Sequence, residues 1–239
     1  MTTEELFRSE PYTRVCIANV VSSDTDGIVL DRTIFYPEGG GQPGDTGVLE
    51  PATPGLRDIR IIGTERRDGE IVHLVEPFTA RLEPGTQVNL LLDWAPRHRH
   101  MRMHTCLHLL CAVVGDAKVT GGSVGTEKGR LDFNLPDNPL TREEVQAGLD
   151  RLIEADLKVT TRWITDEELA AQPDLVRTMS VQPPSGQGRI RLVDIEGVDL
   201  QPCGGTHVTH TAEIGRILVG KIESKGSRNR RISLRFGDA

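Results

Sequence analysis

The chain contains no apolar run that approaches the roughly 20 residues a membrane-spanning helix needs. Cysteine is scarce. The 4 cysteines, Cys16, Cys106, Cys111 and Cys203, are not spaced as a disulfide framework, so free thiols inside the cell are expected. Positive charge is in deficit, with 28 Lys and Arg against 35 Asp and Glu and a net charge of −7. That argues against broad electrostatic binding of nucleic acid, though it leaves room for a local basic patch. The N-terminus, Met1-Thr2-Thr3-Glu4-Glu5-Leu6, is acidic and does not read as a signal peptide. No internal repeat is present. The expectation is a soluble, cytoplasmic protein without membrane association. Its 239 residues suffice for one large domain or two modest ones, and 37% hydrophobic content is compatible with a folded core.

Several catalytic signatures are also missing. There is no Ser-His-Asp arrangement at recognisable spacing. H-E-x-x-H is absent, because Thr105 follows His104. The Gly-rich stretch lacks the Lys-Ser/Thr and helix of a P-loop, so no nucleotide cofactor is expected. No class II aminoacylation motif is recognised.

What is present is a pair of metal-type motifs far apart in sequence. His104-Thr105-Cys106-Leu107-His108 is H-x-x-x-H, and Cys203-Gly204-Gly205-Thr206-His207 is C-x-x-x-H. Residues four apart share a helix face, so His104 and His108 can reach one ion. Cys203 and His207 complete a set of three nitrogens and one sulfur that suits Zn²⁺. The alternative is two ordinary buried histidines, but a core helix rarely spends two imidazoles on one face without partners. Four protein ligands normally make a structural site, which weighs against catalysis by the ion itself. His210 reads as a surface histidine, with an alternative ligand or a group supporting the ligands as the other readings.

Residues 12 to about 93 read as short strands: Val15 to Val21, Gly27 to Tyr36, Ile59 to Thr64, Ile71 to Val75 and Gln87 to Asp93. Turn signals separate them at Ser23 to Gly27, Pro54-Gly55, Asp68-Gly69 and Pro84-Gly85, a spacing that suits a small barrel or sandwich. After Asp93 the pattern turns helical. Pro96 fits a first helical turn, and a mostly buried helix follows that carries His100, His104 and His108. Thr141 with Glu144, and Thr165 with Glu168, are capping-box signatures that open two further helices. Strands are expected at Arg130 to Leu135, Val159 to Ile164, Ile190 to Ile195, Ile214 to Ile222 and Arg231 to Phe236. The fold class is α+β, with a barrel over 1–93 and an α/β domain over 94–239. Residues 183–188 read as a mobile loop. Met1 and the Gly237-Asp238-Ala239 end read as those of a natural chain.

Two further segments carry alternatives. Tyr36 to Gly47 contains Gly39-Gly40-Gly41-Gln42, which is either a tight connection or a backbone that a ligand approaches closely. Arg216, Lys221, Lys225, Arg228, Arg230, Arg231 and Arg235 fall within 20 residues, against the single acid Glu223. This is either a solvated basic hairpin or a surface for RNA phosphates, with Lys225, Arg228, Arg230 and Arg231 the candidate contacts. Arg97, Arg99 and Arg102 add local positive charge.

Together these residues resemble the alanyl-tRNA editing family. These are free-standing, trans-acting deacylases (AlaX type) related to the editing domain of alanyl-tRNA synthetase. The resemblance rests on the H-x-x-x-H helix, on Val198 to Val208, on Tyr36 to Gly47, on Arg130 to Phe133 and on Glu213 to Arg231, and so covers nearly the whole chain. The zinc motifs are shared with threonyl-tRNA synthetase editing domains. The glycine-rich segment points to the alanyl group, in its medium-length form with an N-terminal barrel. The resemblance implies a zinc-containing editing domain of the threonyl/alanyl-tRNA synthetase second-additional-domain type, with Zn²⁺ on His104, His108, Cys203 and His207. It implies hydrolysis of mischarged seryl-tRNA(Ala), with glycyl-tRNA(Ala) as a second candidate, because a pocket built for a methyl group poorly rejects slightly altered analogues. It places the group that bonds the serine hydroxyl at Thr120, with Ser123 in reserve, and gives Gly40, Gly41 and Gln42 a part in selecting serine. Three other classes stay open: a cis-editing fragment of a synthetase, a zinc-stabilised tRNA-binding module, and a zinc hydrolase acting on small esters or amides.

Overall fold

The computed structural model describes residues 2–25, 27–77, 81–135, 140–177 and 188–237. The expected loop at 183–188 lies outside these residues but for Gly188, as do Asp238 and Ala239. The chain forms two compact units, Met1–His98 and Arg99–Ala239. Among the described residues, no helix is long and apolar enough to cross a membrane.

The first unit runs β1 (Glu4–Glu5), α1 (Leu6–Ser9), β2 (Val15–Ser23), β3 (Ile28–Leu30), β4 (Arg32–Thr33), β5 (Gly47–Pro51), β6 (Ile59–Arg67), β7 (Glu70–Val75) and β8 (Gln87–Leu92). Six of these strands close a barrel in the order β2-β3-β7-β6-β5-β8. Closure leaves no open sheet edge, and alternate residues fill the interior. Ala18, Val20, Leu30, Phe35, Leu49, Ile61, Val88 and Leu90 belong to that core.

The expected strand from Gly27 to Tyr36 breaks after Leu30. The Asp31 carboxylate takes both the backbone N–H and the side-chain amide of Asn19, each at 2.8 Å. The chain then leaves the barrel, and β4 pairs in parallel with β1 instead. Strand β5 was not expected. Its Gly47, Glu50 and Pro51 give little strand signal, but it is paired on both sides, by β6 and by β8.

The helix α2 (Trp94–Val114) begins in the first unit and ends in the second. Every residue from Met103 to Cys111 is buried, so the helix has no solvent face there and reads as a core helix. The second unit continues with β9 (Lys118–Ser123), β10 (Lys128–Asn134), α3 (Arg142–Glu154), β11 (Val159–Ile164), α4 (Asp166–Ala170), β12 (Ile190–Ile195), β13 (Asp199–Pro202), β14 (Ile217–Ser224) and β15 (Asn229–Phe236). One antiparallel sheet has the order β14-β15-β10-β9, and a second has the order β11-β12-β13. The fold is α+β, as expected. Both capping boxes form, with the Thr141 and Thr165 hydroxyls accepting from the Glu144 and Glu168 N–H groups. Val145, Leu149 and Ile153 supply the buried stripe of α3.

Gly129 sets how close β10 lies to α2. A Cβ there would sit 2.7 Å from the Met103 side chain, so no larger residue fits without a shift. Strand β14 begins at Ile217 rather than Ile214. Thr211–Ile214 instead folds as a 3₁₀ turn that ends at Gly215, whose φ is 69°.

Candidate metal centre

The structure brings His104, His108, Cys203 and His207 together. Their donor atoms all lie within 4.8 Å of one another. His104 and His108 stand one turn apart on α2. Cys203 and His207 come from the segment that follows β13. The Cys203 Sγ lies 3.6 Å from His104 Nε2 and 3.3 Å from His207 Nε2. A tetrahedral ion with metal–sulfur and metal–nitrogen bonds of about 2.3 and 2.0–2.1 Å needs a sulfur–nitrogen separation of about 3.5 Å. The set therefore fits a small tetrahedral ion.

Neighbouring groups fix which nitrogen each ring presents. His108 Nδ1 lies 2.8 Å from the Asp199 carboxylate, a buried acid also bonded by the Gln201 amide. An imidazole that donates from Nδ1 keeps the Nε2 lone pair for the cluster. The Thr105 hydroxyl does the same for His207. It donates to the Met101 carbonyl at 2.9 Å and accepts from Val208 N–H at 3.2 Å. A hydroxyl has one proton and two lone pairs. The remaining lone pair faces His207 Nδ1 at 3.2 Å, so that nitrogen is the protonated one.

The Cys-Gly-Gly turn is held by Arg191. Its Nη1 donates to the carbonyls of Cys203 and Gly205, both at 2.9 Å. The Gly205 N–H in turn points to the Cys203 sulfur at 3.4 Å.

Burial alone would raise the Cys203 thiol, but the His104 and His207 imidazoles beside it hold it well below the ordinary thiol value. Burial and the neighbouring imidazoles push His207 down to about 3. His108 resists burial: its bonds to Asp199 and Cys203 push it up to about 10. Thiolate and neutral imidazole are the forms that bind metals, so an ion entering here displaces protons. Cys106 and Cys111 are different. Both are buried on α2 with thiols raised by desolvation, Cys111 to about 12, and neither joins the cluster. His210 is exposed, with Nδ1 3.4 Å from the Asp156 carboxylate, and is a surface histidine.

Sequence reasoning missed Thr105, Asp199 and Arg191. A usable signal existed for one of them. Asp199, Gln201 and Cys203 alternate, so a strand places all three on one side.

The other candidates lie in different places. Gly40 and Gly41 form the exposed tip of a turn in the first unit, closed by Gly39 N–H to Gln42 O at 3.1 Å and Gln42 N–H to Gly39 O at 2.9 Å. Positive φ at both centre positions, 57° and 79°, is why glycine stands there. Gln42 is buried. Within the same unit, Asp45 accepts the Tyr36 N–H at 2.6 Å and pairs with buried Arg97.

Thr120, on β9, has its hydroxyl 3.1 Å from both the Asp132 carbonyl and Asn229 Oδ1. Ser123 ends the same strand, opposite Arg130. Arg231 grips Asp132 in bidentate fashion at 2.7 and 2.8 Å, and Arg130 holds the same carboxylate at 2.7 Å. These arginines, Arg231 first, keep Asp132 below the usual carboxylate range. Lys225 pairs with Glu223 at 3.3 Å, Arg228 is exposed in the turn between β14 and β15, and Arg230 reaches Ser224 Oγ at 3.3 Å.

Comparison with known proteins gives two family matches. Residues 190–233 match the threonyl and alanyl tRNA synthetase second additional domain, and residues 10–96 match class II (A) tRNA synthetases. The alanyl-tRNA editing protein AlaX-M of Methanosarcina acetivorans is 34% identical over 96% of this chain and 97% of its own. AlaX-L of Pyrococcus horikoshii is 33% identical over 98% of this chain and 58% of its own. The alanine–tRNA ligase of Methanothermobacter thermautotrophicus is 36% identical over 99% of this chain but only 26% of its own.

Proposed function

The chain belongs to the family of alanyl-tRNA editing proteins, and from that premise we propose that it hydrolyses the ester of seryl-tRNA(Ala), with glycyl-tRNA(Ala) as a second substrate. Water adds its hydroxyl to the carbonyl carbon of the amino acid. The bond from that carbon to the ribose oxygen of the terminal adenosine breaks, and that oxygen takes the proton. Serine and free tRNA are released.

The observation that carries this reading is the His104–His108–Cys203–His207 set, its three histidines buried, in a chain that matches AlaX-M over 96% of its length. Its three nitrogens and one sulfur suit zinc. When bound, zinc would supply a Lewis acid and a fixed positive charge. The protein's own part is positioning. Asp199 and Thr105 orient two of the imidazoles, and Arg191 holds the Cys203 turn. Thr120 is assigned to the serine hydroxyl, and the Gly40-Gly41-Gln42 turn to selection of serine over alanine. Lys225, Arg228, Arg230 and Arg231 are assigned to the tRNA backbone.

The decisive test is hydrolysis of seryl-, glycyl- and alanyl-tRNA(Ala) side by side. Seryl-tRNA should be cleaved and alanyl-tRNA spared. Equal cleavage of all three, or of none, overturns the reading. One observation favours a second reading, a tRNA-binding module with a structural ion: four protein donors fill a tetrahedral shell. That module would bind tRNA and deacylate nothing, with or without chelator.

A further inference from the structure

We propose that a hollow between the start of α3 and strand β14, lined by Leu140, Arg142, Lys221, Ile222, Ser224 and Arg230, binds a backbone phosphate of the tRNA. The proposal rests on the tRNA-editing reading above and gives it a docking site. The hollow has a volume of about 450 Å³, large enough for a phosphate with its sugar. Three of its six lining residues are cations and none is an acid. In a chain of net charge −7, this is a local reversal of sign, and cations gathered around one concavity repel each other unless an anion joins them.

The cations arrive from separate parts of the chain and are held differently. Arg142 is the first residue of α3. Its Nε donates to the Val219 carbonyl at 2.8 Å, which anchors the guanidinium on β14. Arg230 is anchored by Nη1, 3.3 Å from both Ser224 Oγ and the Gly226 carbonyl. Lys221 is exposed and has no partner among the described residues. The β14–β15 ladder shifts register between Val219 and Ile222. Such a bulge re-aims side chains, which accounts for Lys221 and its neighbour Ile222 lining the same hollow. On β14 the nearest acid, Glu223, pairs instead with Lys225 at 3.3 Å. Two guanidinium groups fixed by backbone bonds, beside a mobile ammonium and a hydroxyl, form a donor set for phosphate oxygens. Leu140 and Ile222 give a sugar an apolar wall. Exposed Arg228 continues the charge onto the turn between β14 and β15, so the surface suits a chain of phosphates better than a single small anion.

The test is binding of uncharged tRNA(Ala) to the intact chain across a salt series, with hydrolysis of seryl-adenosine measured in parallel. Lys221→Glu and Arg142→Gln should each weaken tRNA binding several-fold. Each should also lower the slope of log affinity against log salt by about one unit. Lys158→Glu, an equal charge change just before β11, should leave the slope alone. Hydrolysis of seryl-adenosine should be unchanged in all three, which excludes damage to the pocket. Inorganic phosphate and ATP should compete only at far higher concentration than tRNA. The hollow is overturned if Lys221→Glu binds tRNA as the parent does, if Lys158→Glu loses as much, or if polyglutamate competes as well as RNA, which would mark an acidic protein as the partner. Binding with the expected slope but no deacylation would sink the editing reading and leave the hollow standing.

Discussion

Arg97 and Asp45 form an ion pair shut off from solvent, with the two side chains 0% and 2% exposed. Asp45 also accepts the Tyr36 N–H, and Arg97 also donates to the carbonyls of Pro11 and Ile34. The pair therefore closes the glycine-rich segment at its base. Removing one partner strands a buried charge. Arg97→Ala or Asp45→Ala should each cost about 3–5 kcal/mol, read from urea unfolding. A double variant with apolar residues of similar size at both positions should cost clearly less than the two losses summed.

Cys203→Ala should lose both the metal and deacylation. Cys106→Ala should keep the metal, because Cys106 lies outside the cluster although it sits between two of its ligands. Elemental analysis after zinc-replete purification reads both outcomes, and metal retained in Cys203→Ala would disprove the ligand set.

Thr105→Val keeps the shape of the side chain and removes the oxygen that faces His207 Nδ1. Metal affinity should fall about 10–100-fold, measured by competition with a chromophoric chelator. Ligand spacing alone assigns Thr105 no part, so an unchanged affinity would return it to plain helix packing.

Thr120→Val tests selectivity. If the hydroxyl bonds the substrate serine, kcat/KM on seryl-tRNA should drop by about 1–3 kcal/mol of transition-state binding. Glycyl-tRNA has no hydroxyl and should lose much less. Equal losses on both would make Thr120 a brace for β10 and β15 through Asp132 and Asn229, with Ser123 next to be tried.

His73 predicts acid sensitivity of the first unit. It is fully enclosed, with Nδ1 2.9 Å from the Ile28 carbonyl and Nε2 2.8 Å from the Thr33 hydroxyl. Burial holds it down to about 4 from 6.5. Below about pH 6.5 the unfolded chain takes up the proton first, so stability is lost as pH falls and the loss is complete near pH 4. Between pH 7 and pH 5 this amounts to about 2 kcal/mol. His73→Asn, which keeps a donor for Ile28, should be less stable at pH 7 and should lack that slope.

The four residues of the candidate metal centre were legible because each pair obeys a spacing of four, and spacing survives in a bare sequence. The barrel was legible through alternating β-branched residues and the turns between them. What stayed hidden acts across sequence distance. Thr105 meets His207 from 102 residues away, and Asp199 meets His108 from 91. No local pattern encodes such pairs. Strand β9 was hidden by its own composition: Gly121 and Gly122 argue against a strand. Yet a Cβ at Gly122 would come within 2.8 Å of Leu131 on the neighbouring strand. The missing side chain leaves room for Leu131, and it reads locally as a breaker.

The separation of the two ligand pairs has a consequence for how the protein matures. His104 and Cys203 are 99 positions apart. As the chain is synthesised, the two histidines of α2 emerge long before the residues that complete their shell, and a two-nitrogen half-site holds a metal weakly. Capture must wait until nearly the whole second unit has been made. An ion held by all four residues would then act as a cross-link over that span. For a disulfide, closing a loop of this length removes unfolded-state entropy worth about 4–5 kcal/mol. A metal clip draws on the same chain statistics. With zinc as that ion, depriving growing cells of it should act first on newly made chains, shortening their lifetime before it affects molecules already assembled.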